Sequence, residues 1–251
     1  MRRYTAIVVG SAEPVPGARL LFLNCPQLGE AACPGQFVMI RCGHSADPYL
    51  RYPLAIHRLG PQGIALYFRP SEAGMAWLGA RQIGDAVDLL GPCGRGFDLP
   101  SGSSNLTLVY QGMGINALAS ILDRTHCAVQ IVSEAPTPGQ VYPRELLPRS
   151  VEFLPFVGHE QDDAFWQAVE VACAWGERIY VAGSSAMIRR LGQVVAKTRM
   201  GAREGIAQVW VMGEIACGRG ICQSCLTETR AGLKHACLDG PVFDLFDVLL
   251  D

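Results

Sequence analysis

The chain has 251 residues, 49% of them apolar, with 21 basic against 23 acidic side chains and a formal net charge of −2. That apolar share suffices for packed cores and excludes a disordered chain, and the interspersed charges exclude an electrostatic footprint for nucleic acid. No apolar run approaches the roughly 20 residues that cross a bilayer, so the expected partners are small molecules or other proteins.

Met1-Arg2-Arg3-Tyr4 runs straight into a strand-like Thr5–Val9 with no charged-then-apolar leader, which points to a reducing, cytoplasmic setting. Up to about Leu99 the chain is a succession of short β-rich runs: Thr5–Val9, Ala18–Leu23, Gln36–Arg41, Leu54–Arg58, Ile64–Arg69 and Ala86–Leu90. Pro34-Gly35, Gly60-Pro61 and Gly91-Pro92 punctuate them, and this density of turns predicts an antiparallel barrel or sandwich. The small polar stretch Ser101–Ser104 reads as a linker.

The rhythm then changes to a strand Asn105–Tyr110, a helix Asn116–Arg124, a strand Ala128–Val132, a helix Asp162–Trp175, a strand Arg178–Ala182 and a helix Ser185–Lys197. Alternating strands and helices predict βαβ units and a parallel sheet, closed by the strand Ala207–Met212. The expected fold class is therefore α+β multidomain: an antiparallel β-barrel over 1–100, an α/β parallel-sheet domain over 101–206, and a small appended C-terminal module over 207–251.

That module holds the strongest chemical signal. Cys217, Cys222, Cys225 and Cys237 stand as C-x4-C-x2-C followed, after eleven residues, by a fourth Cys. This is the plant-type spacing for a [2Fe–2S] cluster, whose soft irons select thiolate. Gly218 and Gly220 let the loop curl so that three sulfurs converge. The competing readings are a structural zinc site, which usually arrives as two C-x2-C-like knuckles, and a pair of disulfides, which fits a small secreted domain. The other six cysteines and the five histidines are dispersed without ligand spacing, and none is assigned to a metal.

Weaker signals lie upstream. Leu50-Arg51-Tyr52-Pro53 sets a cation that can pair with phosphate beside an aromatic ring, Gly74 lets backbone N–H groups approach a ligand, and Gly91–Phe97 must turn sharply. Gln111-Gly112-Met113-Gly114-Ile115-Asn116 follows a strand and opens a helix, the context of a dinucleotide-phosphate turn, with only G-x-G of the usual three glycines. Val181–Met187 lies where ligands meet the C-terminal edge of a parallel sheet.

In this order, the pieces resemble the electron-transfer subunits of class 1B dihydroorotate dehydrogenases, within the ferredoxin reductase superfamily. The resemblance is carried by Ala216–Cys225, by Ala236-Cys237-Leu238-Asp239-Gly240-Pro241-Val242-Phe243, and by Pro34–Val38, Arg51–Leu54, Gly84-Asp85 and Gly91–Phe97 in the barrel. It implies a barrel that binds FAD, an α/β domain that binds NAD, and a [2Fe–2S] module ligated by the four cysteines. By the same resemblance Tyr52, Pro53, Leu54, Ala55, Tyr67, Phe68, Arg69, Gly74 and Met75 contact FAD, with Arg51 as the cation, and Gly112 and Gly114 face NAD. No acid–base residue is assigned, because the cofactors carry the chemistry.

The implied partner is an FMN-binding dihydroorotate dehydrogenase catalytic subunit in a heterotetramer, with electrons passing through [2Fe–2S] and FAD to NAD in pyrimidine biosynthesis. Alternatives are a reductase component for another redox enzyme, or a relay subunit that has lost NAD binding. The departures are specific. Ala55 and Met75 stand where the family has hydroxyl residues, removing two hydrogen bonds to the flavin at about 1 kcal/mol each. Tyr110 and Gln111 stand where the family's dinucleotide turn has glycines, and Asn116-Ala117 replace its Ala-Pro.

Overall fold

Alternation of apolar and polar residues along the first strand puts Ala6 and Val8 inside and Thr5, Ile7 and Val9 outside, as expected for a sheet with one covered face. The computed structural model describes residues 1–43, 49–71, 73–102, 104–158, 163–199 and 205–248. Of the positions read above, His44, Ser103, His159 and Asp162 lie outside the described residues.

Seven strands form the antiparallel half-barrel: β1 (Arg2–Ala12), β2 (Arg19–Asn24), β3 (Phe37–Ile40), β4 (Tyr52–Ala55), β5 (Arg58–Gly60), β6 (Gly63–Phe68) and β7 (Ala86–Cys93), in the spatial order β4-β3-β7-β1-β2-β6-β5. The run expected as one strand over Leu54–Arg58 is two, β4 and β5, because the chain bends between them at Ile56-His57. Two short helices, α1 (Pro26–Ala31) and α2 (Ala73–Gly79), bury Leu28 and Leu78 into the barrel core.

The second sheet contains β8 (Asn105–Gln111), β9 (Ala128–Ala135), β10 (Glu152–Val157), β11 (Arg178–Ala182) and β12 (Ala207–Trp210), all parallel. Helix α3 (Ile115–Leu118) continues as a 3-10 turn to Asp123, and α4 (Asp163–Trp175) and α5 (Ser185–Thr198) cover the opposite face. β12 does not close this sheet, as its position in the sequence suggested. After the hairpin of β13 (Leu226–Thr229) and β14 (Gly232–His235), β15 (Val242–Asp244) returns to pair antiparallel with β12, giving the order β10-β9-β8-β11-β12-β15. The C-terminal module is thus stitched into the α/β sheet, since the edge of β12 leaves backbone groups that need a partner.

Barrel and parallel sheet share one apolar interface. β6 is buried at every position because Leu66 and Phe68 face the barrel core while Ala65 and Tyr67 face the sheet with its Ile115, Leu118 and Tyr142. Arg58 pairs with Asp123 at 2.6 Å, and Arg124 donates to the Gly29 carbonyl at 2.7 Å, fixing the two layers in register. Barrel and module also touch, through the Trp210 indole N–H donated to the Gly35 carbonyl at 2.9 Å and Arg95 N–H donated to Gly240.

Candidate redox sites

The cysteine loop is a backbone curl with three residues in the left-handed region, Gly218 (φ +66), Gly220 (φ +71) and Gln223 (φ 60). The curl aims N–H groups at sulfur: Gly220 donates to Cys237 Sγ at 3.1 Å and Arg219 to Cys217 Sγ at 3.4 Å. Burial raises the Cys217 thiol, yet the N–H donors of Cys222, Arg219 and Ile221 outweigh it and lower its pKa to about 6. Cys237 is pushed up to about 12 by burial and then by the adjoining Cys225 thiol.

The sulfurs are mutually close: Cys222 acts on Cys217, and both Cys225 and Cys217 act on Cys237. Among the described residues no three His, Cys, Asp or Glu side chains converge as around a single ion. Four thiols can supply a two-iron cluster with two protein ligands on each iron, so the donor set fits [2Fe–2S]. All ten cysteines are free thiols.

The four ligands differ in burial. Cys222 is exposed and Cys217 half-buried, while Cys225 and Cys237 are buried in one apolar core with Met39 and Cys93 of the barrel. Met39 opposes Pro53 of β4 in the sheet register, so the core that holds the inner cysteines extends to the strand beside the segment expected to hold the flavin. Ser224, exposed in the loop, donates to the Glu214 carbonyl at 2.8 Å. The sequence reading missed Ile221 and Leu238, 74% and 56% exposed beside the ligands, because an apolar residue in a ligand loop carries no signal until its exposure is seen.

The three expected flavin segments meet in space. Gly74 lies so close to Tyr52 that an added Cβ would stand 2.1 Å from its ring, and β4 packs on β6 although the two are not sheet neighbours. Past Ala65, the edge of β6 facing β5 has no strand partner among the described residues, which leaves the backbone of Leu66–Phe68 facing the same place. Ala55, Tyr67, Phe68 and Met75 are buried, and Pro53 and Leu54 half-buried. The aromatic and backbone surfaces fit a flavin ring. The cations are engaged elsewhere: Arg51 pairs with Asp88 at 2.8 Å and donates to the Asp88 carbonyl at 3.1 Å, and Arg69 donates to the Pro16 carbonyl at 3.1 Å.

The dinucleotide turn is retained in shape. The strand order reverses between β8 and β11, which makes their C-terminal ends the switch point at which open α/β sheets bind ligands. A cleft of 330 Å³ lies there, lined by Gln111, Gly114, Asn116, Gly183, Ser184 and Trp210 among others. Gly112 adopts φ +54, and a Cβ on Gly114 would meet the Ala182 carbonyl oxygen at 2.3 Å. Ser184 caps α5 by accepting the Met187 N–H at 3.1 Å.

A half-barrel, a doubly covered parallel sheet and a four-thiol loop together define a flavin and iron–sulfur oxidoreductase of the ferredoxin reductase type. Comparison with solved structures agrees on the fold: an NADH-dependent reduced ferredoxin-NADP oxidoreductase superposes with TM-score 0.81 at 22% identity, covering 98% of this chain and 90% of that one. A ferredoxin reductase of carbazole 1,9a-dioxygenase follows with TM-score 0.65 at 19% identity, covering 83% and 68%. Residues 213–249 match the iron-sulfur cluster binding domain of dihydroorotate dehydrogenase B. The dihydroorotate dehydrogenase B (NAD(+)) electron transfer subunit of Bacillus caldolyticus is 31% identical over 86% of this chain and 87% of its own length, and that of Desulforamulus reducens is 28% identical over 98% of each. The chain belongs to the family of dihydroorotate dehydrogenase B electron transfer subunits.

Proposed function

We propose that this protein carries electrons from an FMN-binding dihydroorotate dehydrogenase catalytic subunit to NAD in pyrimidine biosynthesis, as a cytoplasmic subunit of a heterotetramer. One observation supports it above the others: the four thiols are graded in burial, Cys222 exposed, Cys217 half-buried, and Cys225 and Cys237 in a core that also contains Met39, the register partner of Pro53 in β4. When bound, the [2Fe–2S] cluster supplies one-electron transfer and FAD couples it to two-electron hydride chemistry.

The residues bind, orient and exclude water. Cys217, Cys222, Cys225 and Cys237 hold the cluster, and the N–H groups of Arg219 and Gly220 stabilise sulfur charge and so raise its reduction potential. Tyr52, Pro53, Leu54, Ala55, Tyr67, Phe68, Arg69, Gly74 and Met75 form the flavin surface, with Arg51 held back on Asp88. Met39 and Cys93 keep the space between the two sites dry. Gly112 and Gly114 present the dinucleotide edge, and Ile221 and Leu238 give the partner an apolar contact around the outer thiols.

The test is a visible spectrum of the anaerobically purified protein with its catalytic subunit, before and after dihydroorotate. Flavin and iron–sulfur bands that bleach support the reading. A colourless protein containing zinc, or bands that stay unmoved by dihydroorotate, refutes it.

A further inference from the structure

β3 has two buried faces. Val38 and Ile40 lie opposite Leu54 and Tyr52 of β4, and all four pack in or against the barrel core. Phe37 and Met39 alternate with them onto the other face, where they share a core with Cys225 and Cys237. Residues opposite each other in an antiparallel pair project to the same face with Cβ atoms about 5 Å apart, so Pro53, opposite Met39, stands on that face as well.

Met39 is buried and also carries the cysteine loop. A Cβ on Gly218, the residue after Cys217, would stand 2.9 Å from Met39 Cγ and 3.3 Å from its Sδ, so the loop backbone lies on the thioether. An unbranched thioether suits such an irregular gap. Leu90 of β7 flanks Met39 on the other side, and the Met39 carbonyl accepts from Arg51 Nη1 at 3.4 Å, just ahead of β4. One side chain thus has the loop of Cys217 above it and Pro53 of the flavin segment beside it.

Resting on the cluster and flavin roles proposed above, we infer that Met39 is a positioning residue of electron transfer: its thioether holds the Cys217 side of the cysteine loop against the flavin strand and seals that contact from water. A reduced cluster carries one more negative charge than an oxidised one, and water stabilises the more highly charged state. The dry contact therefore lowers the reduction potential, in opposition to the N–H groups of Arg219 and Gly220, which raise it. Shortening the side chain opens the contact to water, and the potential rises.

The experiment is a redox titration of the anaerobic complex with its catalytic subunit, followed by electron paramagnetic resonance, for the wild type, Met39→Leu, Met39→Val and Met39→Ala. Met39→Ala should raise the reduced-to-oxidised ratio of the cluster at a given potential by about tenfold, the low end of what altering a metal site's surroundings does. For one electron that is a positive shift of about 59 mV. Met39→Val should shift it less, and Met39→Leu, nearly equal in volume, should leave it in place. A side chain that only filled the core would lower the melting temperature of the alanine and valine variants without moving the midpoint. That result, with visible bands intact, overturns the inference. Should Met39→Ala lose its bands through misfolding, Met39→Val alone decides. A wild type without flavin or iron–sulfur bands refutes the functional reading instead, so the two failures give different results.

Discussion

The cluster loop and the dinucleotide edge are built with the same device and have been put to different use. Both contain a glycine in left-handed backbone, Gly218 and Gly220 in the loop and Gly112 at the edge. In the cluster loop, N–H groups of Arg219 and Gly220 meet cysteine sulfur. At the edge, the Ser184 N–H meets the chain's own Gln111, whose amide also donates to Glu134. Topology preserved the place in both regions; side-chain identity decides whether the place is open to a ligand.

The largest expected effect breaks the first region. Cys222→Ala removes one ligand of the outer pair, and we expect the iron–sulfur bands and electron flow from the catalytic subunit to be lost, by at least about a hundredfold in rate. Wild-type turnover in that variant, measured anaerobically with dihydroorotate, would sink the cluster assignment. Next, Ile221→Asp places a charge on the apolar rim. If that rim is the centre of the partner contact, the variant should assemble about 30-fold or more weakly, a hot-spot loss on the order of 2 kcal/mol. Gel filtration with the catalytic subunit reads it, and undiminished assembly moves the contact elsewhere.

How legible each region was follows from the range of its signals. Cysteine spacing is local, so the four ligands stood out from a single stretch, as did the change from barrel strands to βαβ alternation near Ser101. β10 was missed because Pro155 interrupts it, and Pro is tolerated there only because β10 is the sheet's edge strand. β15 is three residues long and pairs with a strand more than thirty residues earlier, which no local pattern reveals. The lost glycine at Gln111 was readable, but its bridge to Glu134 joins residues 23 apart and needed the sheet. The burial difference between the thiol pairs likewise arises from Met39 and Cys93, remote in sequence.

A third measurement probes the junction that carries the edge. His57 is fully buried between barrel and sheet, accepting or donating through Nε2 to the Tyr142 hydroxyl at 2.9 Å, with Tyr67 beside it. Burial first, then the charge of Arg58, lowers its pKa from 6.5 to about 3. Between those values the unfolded chain binds the proton and the folded chain does not, so stability is full above pH 6.5 and falls as the pH drops toward 3. The slope for one proton is about 1.4 kcal/mol per pH unit. Urea unfolding at pH 5 and pH 7.5 should show it, and His57→Phe should flatten it whatever its offset. An equal slope in the variant would assign the acid loss to other groups.

The smallest expected difference separates the two glycine turns themselves. A Cβ on Gly114 meets a backbone oxygen, Ala182 O, at 2.3 Å, and backbone at a strand end cannot give way cheaply. A Cβ on Gly218 meets Met39 Cγ at 2.9 Å, part of a flexible thioether chain, and its main cost is the left-handed φ of +66. Gly114→Ala should therefore cost about 2 kcal/mol, the middle of the overpacking range, and Gly218→Ala about 1 kcal/mol. Gly114 itself has φ −57 and no left-handed cost, so equal losses in thermal unfolding of the two variants would mean that the contact with the Ala182 carbonyl relaxes. The edge would then be no more tightly packed than the cluster loop, and the altered side chain at Gln111 would be the whole of the difference between them.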